Sequence, residues 1–251
     1  MARGVTLVTG ASAGLGAEFA RQCRRRGDEL VLVARRRDRL EALAAELGGA
    51  HVIVADLAEP GAAARLLAEV AGLGLEVDTL INNAGFGASG QFAAASPERL
   101  LGMIDLNVRA LTELTRLVLP GMAERKRGGI LNVASTAAFQ AGPNMAVYYA
   151  SKAYVLSLTE ALHQEMKGEG VKVTALCPGP TATEFFEVAE SAGSTLAKMA
   201  ADPVGVVRAG LRGLDRNQAI VIPGVTNKIG AYGTRFLPRA ALRRIVARIK
   251  M

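Results

Sequence analysis

The stretch "VTLVTGASAGLGAEFA", residues 5–20, joins an uninterrupted apolar run to a segment of helical period through a turn carrying Gly10, Gly14 and Gly16. Glycines between a strand and a helix let the backbone curl tightly. The helix that follows opens on N–H groups without main-chain partners and on the positive end of its dipole. A turn of this kind accepts an anionic group such as a pyrophosphate. The spacing is G-x-x-x-G-x-G and not G-x-G-x-x-G, and a glycine-rich turn also serves plain tight packing, so the surrounding sequence has to decide.

Outward from that stretch the same alternation repeats. "ELVLVAR" precedes a helical segment at 37–47, "HVIVADL" one at 62–71, and "VDTLINNAG" two that run to about 124. "GGILNVAS" then precedes a helix at 148–167, and "VKVTALCPG" follows it. Strand runs that are apolar throughout, without alternation, are buried on both faces. With helices between them, they predict an α/β fold: a Rossmann-like, doubly wound parallel sheet of about seven strands with helices on both sides. No internal repeat, linker or composition break interrupts the 251 residues, so one domain is expected over 1–251.

Half of the residues are hydrophobic and 21% are charged, which supports a full core and argues against disorder. No apolar run is long enough to span a bilayer and the N-terminus carries no secretory pattern, so a cytoplasmic protein is expected. Cys23, Cys177, His51 and His163 stand in no ligand spacing, which excludes a disulfide framework and gives no metal site. Of the net charge of +7, six units come from Arg235, Arg239, Arg243, Arg244, Arg248 and Lys250 in an acid-free tail. With no aromatic platform among these cations, no nucleic-acid partner is expected. Leu242, Ile245, Val246 and Ile249 fall at i, i+3, i+4 and i+7, so residues 234–251 predict a basic amphipathic helix opened by Pro238. It docks on the body or on a second subunit, or lies on a membrane surface as a peripheral contact.

The second strand ends at Arg35, followed by Arg36 and Arg37. An acid at this point would accept ribose hydroxyls, whereas a guanidinium pairs with a 2′-phosphate, so NADP(H) is preferred over NAD(H). An arginine cluster opening a helix is also an ordinary solvated face. Asp56, ending the third strand, is placed to accept a bond from an adenine amino group or to cap a turn. Asn82 and Asn83 end the fourth strand, where the first reads as structural and the second as close to the cofactor.

In "AVYYASKAYV", residues 146–155, Tyr148 lies four residues before Lys152 and Tyr149 three, so helical geometry brings either phenol near the amine. An ammonium lowers a phenol's pKa, which tunes it for proton transfer to a carbonyl oxygen or from an alcohol. Geometry alone does not choose between the two tyrosines.

These residues, with Asn107 in "DLNV", Ser135 in "NVAS" and the Pro178-Gly179 turn followed by Thr183, resemble the classical short-chain dehydrogenase/reductases, in order and at the usual intervals from about residue 5 to 183. The resemblance selects Tyr148 as acid/base through the family's Y-x-x-x-K pattern and leaves Tyr149 facing elsewhere. It implies that Lys152 tunes the phenol and holds the ribose, that Ser135 holds the substrate oxygen, and that Asn107 fixes a water in a proton relay. It also makes Ser12 and Asn83 cofactor contacts and sets Thr181 and Thr183 beside the nicotinamide carboxamide. The chain looks most like NADP-preferring bacterial members of broad specificity, which implies an oxidoreductase acting on a small carbonyl or alcohol and a homodimer or homotetramer.

Phe86, Met145, Phe185 and Phe186 flank the expected cleft, pointing to an apolar or acyl-bearing substrate, although each also fits a core position. Residues 183–201 follow the last long strand and read as a flap over the substrate or as a surface helix pair. The other functional class open to this sequence is a non-catalytic dinucleotide-binding regulator or membrane-associated scaffold. A complete set of Asn107, Ser135, Tyr148 and Lys152 speaks against it, because a binding module needs no tuned phenol.

Overall fold

The computed structural model describes residues 4–184, 189 and 200–248. Seven strands form one sheet: β1 (Val5–Thr9), β2 (Glu29–Ala34), β3 (His51–Val54), β4 (Val77–Asn82), β5 (Gly128–Val133), β6 (Val171–Leu176) and β7 (Ile220–Val221). Their order is β3-β2-β1-β4-β5-β6-β7, with every pair parallel, so the doubly wound reading holds.

Successive side chains in a strand point to opposite faces, and here both faces are dry. Val8 packs with Leu30 and Leu32 against α1 (Gly14–Arg25) and α2 (Arg37–Glu46), where Phe19 and Leu40 are fully buried. Leu7, Val31 and Val33 face the other way, toward α3 (Ala62–Gly72) and its Leu66 and Val70. Burying each such side chain stabilises the fold by about 1.5–3 kcal/mol. That is why the strand runs are mainly apolar and lack a polar face.

After β4 come α4 (Pro97–Ile104), a π-helical segment at Asp105–Ala110, and α5 (Leu111–Glu124). Ser96 caps α4 by accepting from the Arg99 N–H at 3.3 Å. The long helix α6 (Ala146–Glu165) packs between β5 and β6 through Val155 and Leu156. The chain closes with α7 (Pro203–Asp215), α8 (Val225–Gly233) and α9 (Arg239–Arg248). Among the described residues no helix is long and apolar enough to cross a membrane.

The strand order reverses between β1 and β4, and the loops leaving their C-terminal ends diverge there to open a crevice. Asn82 is the internal stitch expected of it: its amide donates to Asn132 Oδ1 at 2.9 Å and Thr115 Oγ1 at 3.0 Å, linking β4 to β5 and α5. Of the expected flap, all but residues 183, 184, 189, 200 and 201 lies outside the described residues. Its two ends are nevertheless tied together: Thr181 and Ala201 form a parallel bridge, with Ala201 N–H donating to Pro180 O at 2.9 Å.

Candidate active site

The crevice is a cavity of about 820 Å³, lined on one side by Gly10, Ser12 and Gly14 of the first turn and on another by Ser135, Tyr148 and Lys152. Gly10 and Gly14 adopt φ of +66° and +54°, a region that side chains disfavour. A Cβ on Gly16 would lie 2.1 Å from the Gly10 carbonyl oxygen, so α1 starts directly under the turn only because that residue is glycine. Helix α1 has no side-chain cap and no acid in its first turn, leaving its N–H groups and dipole to an anion. Asn83 fixes the neighbouring strand end: its side chain donates to Thr9 O at 2.9 Å, and its main-chain N–H to Thr9 Oγ1 at 3.0 Å.

Both Arg35 and Arg36 line the same end of the cavity. The Arg35 side chain is 75% exposed and pairs with Asp56 at 3.6 Å. Arg36 is the more firmly directed of the two, with Nη2 and Nε donating to Ser12 Oγ at 3.0 and 3.2 Å. Sequence reasoning named only Arg35, because position relative to the glycines identifies the first arginine and not the one that turns inward. Glu184 pairs with Arg36 at 3.0 Å and with Arg39, and these cations hold its carboxyl below the usual range. Asp56 lines the cavity and caps a turn, accepting from Ala58 N–H at 3.0 Å. A glycine turn that a Cβ would fill, an uncapped helix start, the inward-turned Arg36 and the more exposed Arg35 beside it together fit a dinucleotide carrying an extra phosphate.

At the other end, α6 delivers Tyr148 and Lys152 to one wall. Lys152 is 6% exposed, and its Nζ donates to Val133 O at 2.7 Å, at the end of β5, while lying 5.9 Å from the centre of the Tyr148 ring. Ser135 follows β5 in extended conformation. Its Oγ accepts from Ala137 N–H at 3.0 Å and hydrogen-bonds with Tyr148, so the strand-end cap and the partner of the phenol are the same atom.

Burial pushes the Tyr148 phenol up to about 12, with the Ser135 hydrogen bond pulling the other way. Burial likewise pulls the Lys152 amine down to about 8. The phenol's shift runs opposite to the one expected from a neighbouring ammonium: desolvation is the largest cause at both groups, each shut away from water. Tyr149 departs from expectation too, since it lines the cavity beside Tyr148. The two rings meet edge to face at 6.1 Å, and Tyr149 lies flat over Gly142, where a Cβ would come 2.3 Å from the ring.

Asn107 stands behind the wall, 1% exposed, in the π-helical segment that rotates it inward. Its Nδ2 donates to Phe86 O at 2.9 Å and to Ser151 Oγ at 3.1 Å, and its Oδ1 accepts from Phe86 N–H at 3.1 Å. Both side-chain protons are thus spent on the protein, which leaves Oδ1 a single lone pair for any water. Thr181 and Thr183 line the cavity, as do Phe86 and Met145, whereas Phe185 and Phe186 lie outside the described residues.

The tail supplies a wall residue that sequence reasoning missed. Helix α9 begins after Pro238, as expected, and turns Val246 onto Met145, Tyr148 and Tyr149 with Leu242 alongside, while Ile245 stays 49% exposed. Val246 lines the cavity. The apolar stripe was visible in the sequence; the surface it meets was not.

A family model described as short chain dehydrogenase matches residues 4–192. The NADP-dependent 3-hydroxy acid dehydrogenase YdfG of Salmonella typhi is 40% identical over 202 residues, covering 76% of this chain and 80% of that protein. The very-long-chain 3-oxoacyl-CoA reductase of Anas platyrhynchos is 34% identical over 194 residues, covering 73% of this chain and 62% of that one. Among solved structures, a short-chain dehydrogenase from Sphingobium yanoikuyae in complex with NADPH superposes with a TM-score of 0.83 at 33% identity, covering 99% of this chain and 97% of its own.

Proposed function

The chain belongs to the short-chain dehydrogenase family, and from that premise we propose that it catalyses the reversible, NADP(H)-dependent reduction of a ketone or aldehyde to the alcohol. One observation carries the proposal: Ser135, Tyr148 and Lys152 share a cavity with the glycine turn and the Arg35–Arg36 pair. When bound, NADPH supplies the hydride that reaches the carbonyl carbon.

The chain's own groups do the rest. The turn at Gly10, Gly14 and Gly16 and the start of α1 hold the pyrophosphate, Arg36 with Arg35 and Ser12 the 2′-phosphate, and Asp56 the adenine. Asn83 shapes the strand end beside them. Lys152 holds ribose hydroxyls, with Thr181 and Thr183 facing the carboxamide. A phenol pushed up to about 12 stays protonated at neutral pH, so Tyr148 gives its proton to the carbonyl oxygen while the Ser135 hydroxyl donates a second hydrogen bond to that oxygen. The phenolate left behind faces the amine of Lys152, whose charge persists below a pH of about 8. Asn107 keeps the wall in place by tying Phe86 to Ser151.

The apolar lining by Phe86, Met145 and Val246, and relatives named for 3-hydroxy acids and 3-oxoacyl thioesters, support an apolar or acyl-bearing substrate. Exposed Leu101 and Leu117, on α4 and α5, support a homo-oligomer.

The test is NADPH oxidation, followed at the cofactor's absorbance across a panel of ketones and 3-oxo esters. Tyr148→Phe lowers kcat/KM by about 10²–10⁴-fold and leaves NADPH affinity within about threefold. Tight cofactor binding with no turnover on any carbonyl would instead select the non-catalytic regulator.

A further inference from the structure

We propose that helix α9 closes an apolar subsite at the tyrosine end of the cavity, and that Val246 sets the length of alkyl chain a substrate may carry. This rests on the carbonyl-reductase reading and adds a chain-binding site to it. The family model ends at residue 192, so the wall comes from a segment beyond the part it describes.

Within α9, Val246 alone is fully buried, at 5% exposure, whereas Arg239, Arg243, Arg244 and Arg248 face solvent. The helix is therefore held to the body by a narrow contact, Val246 with Leu242. That contact falls on Met145, Tyr148 and Tyr149, the residues that border the reacting end of the cavity. A side chain so placed touches the proton donor's neighbours on one side and the cavity on the other.

The lining beside Val246, from Phe86, Met145 and Tyr149, presents carbon in the main, so the ligand that fits is a hydrocarbon chain extending from the carbonyl. Met145 also lines a second, smaller cavity of about 170 Å³ with Leu100 and Met103, so the subsite ends at this flexible side chain. Burial of each methylene against such a surface is worth about fourfold in affinity.

The experiment measures binding of 2-butanone, 2-hexanone and 2-octanone to the full-length protein saturated with NADP⁺, by calorimetry. No hydride is available in that complex, so the readout does not depend on turnover. In the wild type, affinity rises with each added pair of carbons. Val246→Phe lowers the 2-octanone to 2-butanone affinity ratio at least tenfold, Val246→Ala keeps or raises it, and NADP⁺ affinity stays within twofold in both.

An unchanged ratio in Val246→Phe, a uniform loss across all ligands and NADP⁺, or no alkanone binding to the wild type overturns the proposal. Where Val246→Phe does not fold, Val246→Leu reads the same ratio, with a smaller drop expected. A shifted ratio in a protein that reduces no carbonyl leaves the subsite standing and removes the reductase reading. Turnover with a constant ratio does the reverse.

Discussion

Replacing Asn107 with alanine removes three hydrogen bonds at once, two donated by Nδ2 to Phe86 O and Ser151 Oγ and one accepted from Phe86 N–H, at 2.9, 3.1 and 3.1 Å. Each is worth about 1 kcal/mol net, and the groups left behind lose partners in a largely dry place. Phe86 borders the cavity, so water reaches part of the gap and softens the penalty. The expected cost is therefore about 2–4 kcal/mol, or a fall in Tm of roughly 6–12 °C for a chain of this size. Ser151→Ala breaks one of the three bonds and the hydroxyl's own bond to Tyr148 O at 2.7 Å, costing about 1–2 kcal/mol, and the two changes couple by about 1 kcal/mol in a double-mutant cycle. Thermal and urea unfolding followed by circular dichroism give both quantities. A loss below about 1 kcal/mol for Asn107→Ala, or strict additivity with Ser151→Ala, would refute the view that this side chain is spent on the protein itself.

The cofactor end offers a contrast between neighbours: Arg36→Ala weakens NADPH binding about 10–100-fold, whereas Arg35→Ala, removing a solvent-exposed group, costs less than about fivefold. Calorimetry with NADPH and NADH separates the two, since equal losses for both cofactors would deny a role in holding the extra phosphate. Because burial brings the Lys152 amine down to about 8, its charge supports the Tyr148 phenolate below that pH and disappears above it. The reduction rate should fall above pH 8 in the wild type but stay level to about pH 10 in Lys152→Arg, whose guanidinium keeps its charge; a wild-type profile flat across this range contradicts the assignment. Gly16→Ala places a methyl 2.1 Å from the Gly10 carbonyl oxygen, for an expected loss of about 1–3 kcal/mol together with at least tenfold weaker NADPH binding. Unchanged stability and affinity on a thermal-shift titration would show the turn to be looser than described.

The sheet was legible because burial on both faces marks adjacent positions of the central strands: Leu7 and Val8 are neighbours, point to opposite layers and are both fully buried. The wall carrying Tyr148 and Lys152 was legible because the two sit one helical turn apart on α6, where local geometry suffices. What escaped the sequence depends on contacts between distant segments. The inward turn of Arg36 is decided by Ser12, 24 residues earlier. The placement of Val246 is decided by the surface around Tyr148, which no local period encodes. The direction of the pKa shifts was missed for a related reason: spacing reports which charges are neighbours, while desolvation depends on everything that closes over them.

The bridge between Thr181 and Ala201 brings the two ends of an intervening stretch to a single point on the scaffold. A stretch anchored in this way is exchangeable cargo, since its ends keep their position when its contents change. Doubling the length of such a closed segment costs only about 0.6 kcal/mol of chain entropy. Grafts that keep Thr183 and Glu184, which face the cavity, should therefore leave the strands beneath in register.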